Sequence, residues 1–168
     1  MSNEAGGRDV IVADNDQVIR DILRFVLETN GFTPLLAVDG LEALDLATRT
    51  CARLVILDLK MPRLDGFTAC AQISRLPGYA NVPIAILSAF DSIETREAAQ
   101  RAGATAFLSK PFKPVDLLRM MAELLAEPAT APTEPSAFIW RRRQELPPLM
   151  GESSGLSEGQ RVLNICRG

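Results

Sequence analysis

Residues 54–58 read Leu-Val-Ile-Leu-Asp, an unbroken apolar run that ends in a carboxylate. Three other short apolar runs also end at a polar residue: the first at Asp14, the second at Ser88 and the third at Lys110. Helical patterns separate the four runs, so we predict parallel strands whose carboxyl ends meet at one edge of a sheet. Because such sheets bind ligands outside those carboxyl ends, the four polar residues are predicted to share a pocket. Two carboxylates, a hydroxyl and an ammonium in one pocket suit a divalent cation and a phosphoryl group.

Five strands and five helices alternate along the chain. The predicted strands are residues 9–13, 32–37, 53–58, 83–87 and 105–109, and the predicted helices are residues 16–29, 39–49, 65–75, 91–103 and 114–126. Crossovers between parallel strands are right-handed, which places helices on both faces of the sheet. Pro34 has no amide hydrogen for a central ladder, so the second strand is expected at an edge. The predicted fold class is α/β, a doubly wound five-stranded parallel sheet in a three-layer sandwich with strand order 2-1-3-4-5.

The same patterns predict how three helices pack. Asp91, with a carboxylate three residues later, is predicted to cap the fourth helix, and the Ala-rich, charged sequence of that helix predicts weak packing. Arg20 on the first helix is predicted to be solvated. The residues of the fifth helix that are predicted to face the core are Val115, Leu118, Ala122 and Leu125.

One folded domain is predicted, over residues 9–126, because 168 residues with 47% hydrophobic content suffice for little more than one ordinary core. A flexible lead over residues 1–8 precedes it. Residues 127–136 are predicted to form a Pro-rich linker. Residues 137–168 are predicted to be a mostly disordered tail, because they lack the repeated apolar spacing of a second domain.

Composition excludes several classes of protein. The chain has no histidine, which removes Ser-His-Asp and Cys-His catalysis and histidine metal ligands. Its three cysteines lack the spacing of a zinc site. Neither a signal peptide nor a membrane-spanning run is found, so a cytoplasmic protein without membrane contact is expected. A net charge of −3, with five Arg and five Glu after residue 126, argues against nucleic acid as a partner.

Four stretches together match a known family. They are residues 11–16 (Ile-Val-Ala-Asp-Asn-Asp), 57–66 (Leu-Asp-Leu-Lys-Met-Pro-Arg-Leu-Asp-Gly), 87–89 (Leu-Ser-Ala) and 102–112 (Ala-Gly-Ala-Thr-Ala-Phe-Leu-Ser-Lys-Pro-Phe). In this order and spacing, they make residues 9–126 resemble the receiver domain of bacterial response regulators, the CheY-like proteins. The resemblance implies the flavodoxin-like (CheY-like) fold and a two-component phosphorelay function, in a single-domain response regulator with a C-terminal tail.

The resemblance assigns the chemistry to individual residues. Asp58 would accept a phosphoryl group from a phosphohistidine on a sensor histidine kinase or a histidine phosphotransfer protein, and Lys110 would neutralise its charge. Mg²⁺ is the implied cofactor, and its implied ligands are Asp14, Asn15, Asp58 and the backbone carbonyl of Lys60. The chain would be no enzyme beyond catalysing its own phosphotransfer to Asp58 and the slow hydrolysis of that phosphoryl group.

The resemblance also implies a conformational switch. Ser88 would move to hydrogen-bond the phosphoryl group, and Phe107 would swing into the space that Ser88 vacates. The surface of the fourth helix, fifth strand and fifth helix would then change. An unidentified downstream protein, or a second copy of the chain in a homodimer, would read that surface.

Two further positions are implied to set the lifetime of the phosphoryl group. Lys60 lies two residues beyond the phosphoacceptor, and Phe90 lies two residues beyond the switch hydroxyl. Lys60 would pair with the phosphoryl group and Phe90 would shield it from water; alternatively, Lys60 points into solvent and Phe90 makes only a loop contact. The same resemblance implies a cis peptide between Lys110 and Pro111.

One residue departs from the family pattern. Members usually carry two adjacent acids after the first strand, whereas the second position here is Asn15. An amide oxygen coordinates without a negative charge, so we predict weaker Mg²⁺ binding, and Asp16 should point elsewhere because it begins the next helix. The alternative function is a degenerate, unphosphorylated receiver-fold adaptor protein. A third class, an Asp-nucleophile phosphatase, usually has a second Asp where this chain has Lys60.

The segment after the linker has an unusual composition. Trp140, the one Trp of the chain, is followed by three arginines at residues 141–143. One interpretation is a docking segment, for instance for the receiver's own surface of fourth and fifth helices. The others are a nucleic-acid or membrane contact and a tail without a binding role.

Overall fold

The computed structural model describes residues 7–126, so the predicted linker and tail, and most of the predicted lead, lie outside the described residues. The strands are β1 Asp9–Ala13, β2 Thr33–Ala37, β3 Leu54–Asp58, β4 Ile84–Ser88 and β5 Ala106–Ser109. The helices are α1 Gln17–Thr29, α2 Gly40–Arg49, α3 Gly66–Ile73, α4 Ile93–Arg101 and α5 Pro114–Leu125. Over this part of the chain, no helix is long and apolar enough to cross a bilayer.

The predicted topology is confirmed. All strand pairs are parallel and the strand order is β2-β1-β3-β4-β5. Pro34 lies in the edge strand β2, as its missing amide hydrogen predicted. Alternate strand residues face two separate cores, so Ile11 and Val55 pack with α2 and α3 while Val10 and Ile56 pack with α1 and α5. The sheet is therefore the middle layer of three, and β3 at its centre is buried along its whole length.

The connection from β3 to α3 fixes the backbone that carries Asp58. Asp65 caps α3 by accepting a hydrogen bond from Thr68 N at 3.0 Å. Gly66 N donates to the carbonyl oxygen of Leu59 at 3.0 Å. A Cβ on Gly66 would lie 2.1 Å from the carbonyl oxygen of Asp58, so only glycine permits so close an approach.

Helix α5 packs through a different face from the predicted one. Its buried residues are Leu117, Met120, Met121 and Leu124. Val115 is 55% exposed and Ala122 is exposed, so these two predictions were wrong, while Leu118 and Leu125 lie half-buried at the edge of the packed face. Both sets of residues have helical spacing, and the packed set carries the larger side chains, whose burial removes more apolar area from water.

The cap of α4 is Ser92 rather than the predicted Asp91. Ser92 Oγ accepts a hydrogen bond at 3.1 Å from a backbone N–H in the first turn. Asp91 instead accepts two hydrogen bonds from the guanidinium of Arg96. Helix α4 buries only Ala99 and leaves Ile93 74% exposed, so few apolar contacts hold it, as its composition predicted.

Candidate functional site

Three charged side chains meet at the carboxyl edge of the sheet. Asp14 directly follows β1, Asp58 ends β3, and Lys110 directly follows β5. Lys110 Nζ donates to Asp14 Oδ2 at 2.5 Å and to Asp58 Oδ1 at 3.0 Å. Asp14 is 1% exposed and Asp58 is 7% exposed. The structure thus brings together the three charged residues that the strand pattern placed in one pocket. The peptide bond between Lys110 and Pro111 is cis, as the resemblance implied.

The backbone and side chain of Asp14 are held in place by donors from α1 and the turn before it. Asp16 N donates to Asp14 Oδ1 at 2.9 Å, and Arg20 Nη1 donates to the Asp14 carbonyl oxygen at 2.6 Å. Arg20 is only 8% exposed, so the prediction that it is solvated was wrong. Arg20 lies one helical turn before the buried Leu23. This spacing was the sequence signal that could have predicted Arg20 on the packed face of α1. The Asp16 carboxylate caps α1 by accepting a hydrogen bond from Val18 N at 2.8 Å. Its side chain therefore points to the helix and not into the pocket, as predicted.

Burial and charge act on the ionisation of the pocket in opposite directions. Burial raises the pKa of Asp58, and the nearby carboxylate of Asp14 adds to the rise while Lys110 opposes it. Burial alone would lower the pKa of Lys110, but its hydrogen bonds to Asp14 and Asp58 raise that pKa overall. The ammonium of Lys110 is therefore charged at neutral pH, and it is held by both carboxyl groups.

Replacing Asp58 by asparagine is expected to stabilise the fold at neutral pH. Because the pKa of Asp58 is raised, the native carboxyl binds its proton more tightly than the unfolded one, and ionisation as pH rises favours unfolding. The Asp58→Asn variant should melt at a higher temperature than the parent at neutral pH, and the difference should shrink towards about pH 4, where unfolded carboxyls protonate. A parent that is at least as stable as the variant at neutral pH would contradict this result.

Ser88 and Phe107 are both buried, and Ser88 is hydrogen-bonded to a pocket residue. Lys110 N donates to the Ser88 carbonyl oxygen at 2.8 Å, and Ser88 Oγ accepts a hydrogen bond from Phe90 N at 3.0 Å. The ring of Phe107 is 0% exposed, and the guanidinium of Arg96 lies 4.9 Å from its centroid. No sequence pattern indicated this contact between Arg96 and Phe107. Because the ring is already inside the core, a rearrangement of Phe107 would take place there and not bring the ring in from the surface.

Lys60 and Phe90 contact each other. Lys60 Nζ lies 3.7 Å from the centroid of the Phe90 ring, a cation–π distance. Lys60 is exposed and Phe90 is 52% exposed, so the pair lies at the surface. The two residues come from the loops that follow β3 and β4, and the pair therefore links the loop after Asp58 to the loop after Ser88.

The donor groups at this edge suit Mg²⁺. The carboxylates of Asp14 and Asp58 accept hydrogen bonds from a single ammonium, so the edge already holds one cation between two acids. Asn15 is exposed next to Asp14 and offers a neutral amide oxygen. Mg²⁺ takes few carboxylates and keeps several waters, so these groups fit it. Within residues 7–126 there is no group of three or more His, Cys, Asp or Glu residues that could hold a metal ion.

Comparison with known families and proteins agrees with this geometry. A family model described as the response regulator receiver domain matches residues 10–122. The response regulator MprA of Mycobacterium sp. (strain KMS) is 43% identical over 125 residues, which are 74% of this chain and 53% of MprA. The chain thus spans about half the length of that relative.

Solved structures with the same fold include chemotaxis and receiver proteins. The chemotaxis protein CheY4 of Vibrio cholerae has a TM-score of 0.69 and 30% identity, and the match covers 71% of this chain and 100% of CheY4. The receiver domain of sensor histidine kinase PA1611 from Pseudomonas aeruginosa PAO1 has a TM-score of 0.67 and 28% identity, with coverage of 71% and 98%. That receiver domain was solved with a magnesium ion coordinated in its active site cleft.

Proposed function

Because this chain belongs to the response regulator receiver domain family, we propose that it is a phosphorylation switch of a two-component system. Asp58 accepts a phosphoryl group from the phosphohistidine of a sensor histidine kinase or of a histidine phosphotransfer protein. The observation that carries the proposal is the contact of one ammonium, that of Lys110, with the carboxylates of Asp14 and Asp58. We also propose that the protein is located in the cytoplasm.

Phosphoryl transfer needs positioning and charge neutralisation more than covalent machinery. A carboxylate oxygen of Asp58 attacks phosphorus, the phosphorus–nitrogen bond to the donor imidazole breaks, and its electron pair stays on nitrogen. Lys110 then pairs with the phosphoryl oxygens, whose added charge is about −1.5 to −2. When bound, Mg²⁺ supplies further neutralisation, and its proposed ligands are Asp14, Asn15, Asp58 and the backbone carbonyl of Lys60.

The switch starts from the hydrogen bond that Ser88 makes in its present position. Ser88 Oγ accepts from Phe90 N, and turning to donate to a phosphoryl oxygen releases that backbone amide. The released loop leads directly into α4, which buries only Ala99. Little apolar contact therefore opposes a shift of α4, and the surface formed by α4, β5 and α5 changes for a downstream protein or for a second copy of the chain.

Reaction with a small phosphodonor tests the proposal. We expect intact mass to show one phosphoryl group added to the parent after incubation with Mg²⁺ and acetyl phosphate. The Asp58→Asn variant, which has nearly the same shape but no carboxylate nucleophile, should gain none. A parent that gains no phosphoryl group at saturating Mg²⁺ would contradict the proposal.

Asn15 supports a second candidate function, an adaptor protein with the receiver fold that is never phosphorylated. The residue removes one negative charge from the edge where the cation would bind. For an adaptor, the mass of the parent stays unchanged at every Mg²⁺ concentration, and the Asp58→Asn variant binds partner proteins as tightly as the parent.

The contact between Lys60 and Phe90 is expected to lengthen the lifetime of the phosphoryl group. Phe90→Ala should shorten its half-life about two- to fivefold, the factor that corresponds to a cation–π contact of about 0.5–1 kcal/mol. Lys60→Ala should have a similar effect, and the double variant should add nothing, because each change removes the same contact. The half-life is read from the loss of the mass adduct after the phosphodonor is removed.

Leu41→Ala is the matched control for these variants, since it shortens another exposed apolar side chain. Its phosphoryl half-life should equal that of the parent. Effects of Lys60→Ala and Phe90→Ala that simply add in the double variant would contradict a joint action of the pair.

A further inference from the structure

An apolar groove runs between α1 and α5. It has a volume of about 560 Å³, and its walls include Val18, Ile22 and Phe25 of α1 and Pro114 and Leu118 of α5. Val18 is 64% exposed and Phe25 is 71% exposed. Large apolar side chains that lie exposed side by side mark binding surfaces, whereas single ones need no explanation.

The surface around α4 offers less apolar area for docking. Its exposed large apolar side chains are Phe90 and Ile93, and the ring of Phe90 already contacts Lys60. The remaining α4 sequence, Glu-Thr-Arg-Glu-Ala-Ala-Gln-Arg, contains no large apolar residue. The groove between α1 and α5 is therefore the better site for an apolar segment than the surface of α4.

We propose that this groove binds residues 138–143 of the chain itself, Phe-Ile-Trp-Arg-Arg-Arg. The three apolar residues of the segment enter the groove, and removal of their side chains from water drives the contact. Trp140 is the principal anchor, because a large aromatic side chain in an apolar pocket contributes more than its neighbours to binding.

The segment is long enough to reach every part of the groove. The described chain ends at Ala126, directly after α5, which is one wall of the groove. Residues 127–137 can span about 36 Å at about 3.3 Å per residue. Helix α1, with 13 residues, measures only about 20 Å. A tether of this kind also raises the local concentration of the segment to the order of millimolar, so a weak contact is enough for occupancy.

The charges of the groove and the segment are complementary. Asp21 lines the groove, and Glu28 lies seven residues further along the same side of α1 at an exposed position. Asp21 also pairs with Arg24 at 3.0 Å. The arginines at residues 141–143 would lie along this acidic side, where exposed ion pairs contribute orientation more than affinity.

One end of the groove is close to the charged pocket along the chain. Val18 and Pro114 each lie four residues after a pocket residue, Asp14 and Lys110 respectively. A docked segment would border the approach to Asp58 and hinder a phosphodonor protein more than a small phosphodonor. This consequence rests on the proposed phosphorylation, whereas the docking itself does not.

Fluorescence of Trp140 in the full-length protein tests the docking without any phosphodonor. A docked indole should emit at a shorter wavelength than a free one and be shielded from quenching by acrylamide. Phe25→Asp should shift the emission to longer wavelength and restore quenching, and Phe25→Ser, a milder change, should do the same. Ile93→Asp is the matched control, because Ile93 is 74% exposed on α4, and it should leave the emission unchanged.

Three results would overturn the proposal. The first is that the parent shows the emission of a free indole. The second is that the parent shows a shielded emission that changes in neither Phe25 variant. Shielding that disappears on dilution would show docking onto a second copy of the chain instead. The reaction of Asp58 with acetyl phosphate is measured separately, so failure of the docking is distinguishable from failure of the proposed function.

Discussion

Replacing Lys110 by methionine is expected to slow phosphorylation of Asp58 by about a hundredfold or more, the loss typical of removing a preorganised group that stabilises transition-state charge. Methionine keeps an unbranched side chain of similar length but lacks the ammonium that contacts Asp14 and Asp58. The phosphoryl group would then enter between two carboxylates without a fixed positive charge from the chain. The rate of mass gain with acetyl phosphate and Mg²⁺ measures the effect.

Two further variants separate charge from structure. Lys113→Met makes the same change at an exposed position three residues further on, and its rate should equal that of the parent. Lys110→Arg keeps the positive charge and should recover part of the lost rate, although its planar group fits the pocket less well. A Lys110→Met variant that reacts as fast as the parent would exclude the role proposed for the ammonium.

Mg²⁺ binding is expected to tighten by about tenfold or more in the Asn15→Asp variant, which corresponds to about 1.4 kcal/mol. The substitution adds a third carboxylate next to Asp14 and Asp58 at the edge where the cation would bind. The direct attraction between one added negative charge and a divalent cation is larger, about 8 kcal/mol at a separation of about 4 Å and an effective dielectric constant of about 20. Repulsion among the three acids and the loss of their hydration offset most of it. Titration calorimetry with MgCl₂ measures the affinity.

Asn30→Asp provides the matched control for this prediction. It makes the same chemical change at the opposite end of α1, where Asn30 is the C-cap residue. Equal tightening in the two variants would show that only net charge matters, and no tightening in Asn15→Asp would show that residue 15 does not contact the metal.

Without Mg²⁺, Asn15→Asp should also melt at a lower temperature than the parent, because its added charge repels Asp14.

The sequence by itself determined the sheet and the meeting of its charged residues. Apolar runs that end in a polar residue, separated by helical patterns, permit few arrangements other than parallel strands with their carboxyl ends together. Asp14, Asp58 and Lys110 therefore had to converge, although they lie far apart along the chain. That Asn15 stands in place of an acid was readable only through the resemblance to the receiver family, whose members usually carry two adjacent acids after the first strand.

Only the tertiary structure decided which face of a helix is buried and which groups its polar side chains contact. Helical spacing describes how apolar residues repeat, but α5 has two overlapping sets with that spacing, and contact with the sheet selected Leu117 and Leu124 over Val115. Arg20 is buried because its guanidinium reaches the carbonyl oxygen of Asp14, a group outside the helix. Such choices depend on atoms that remote parts of the chain supply, and a local sequence pattern contains no information about them.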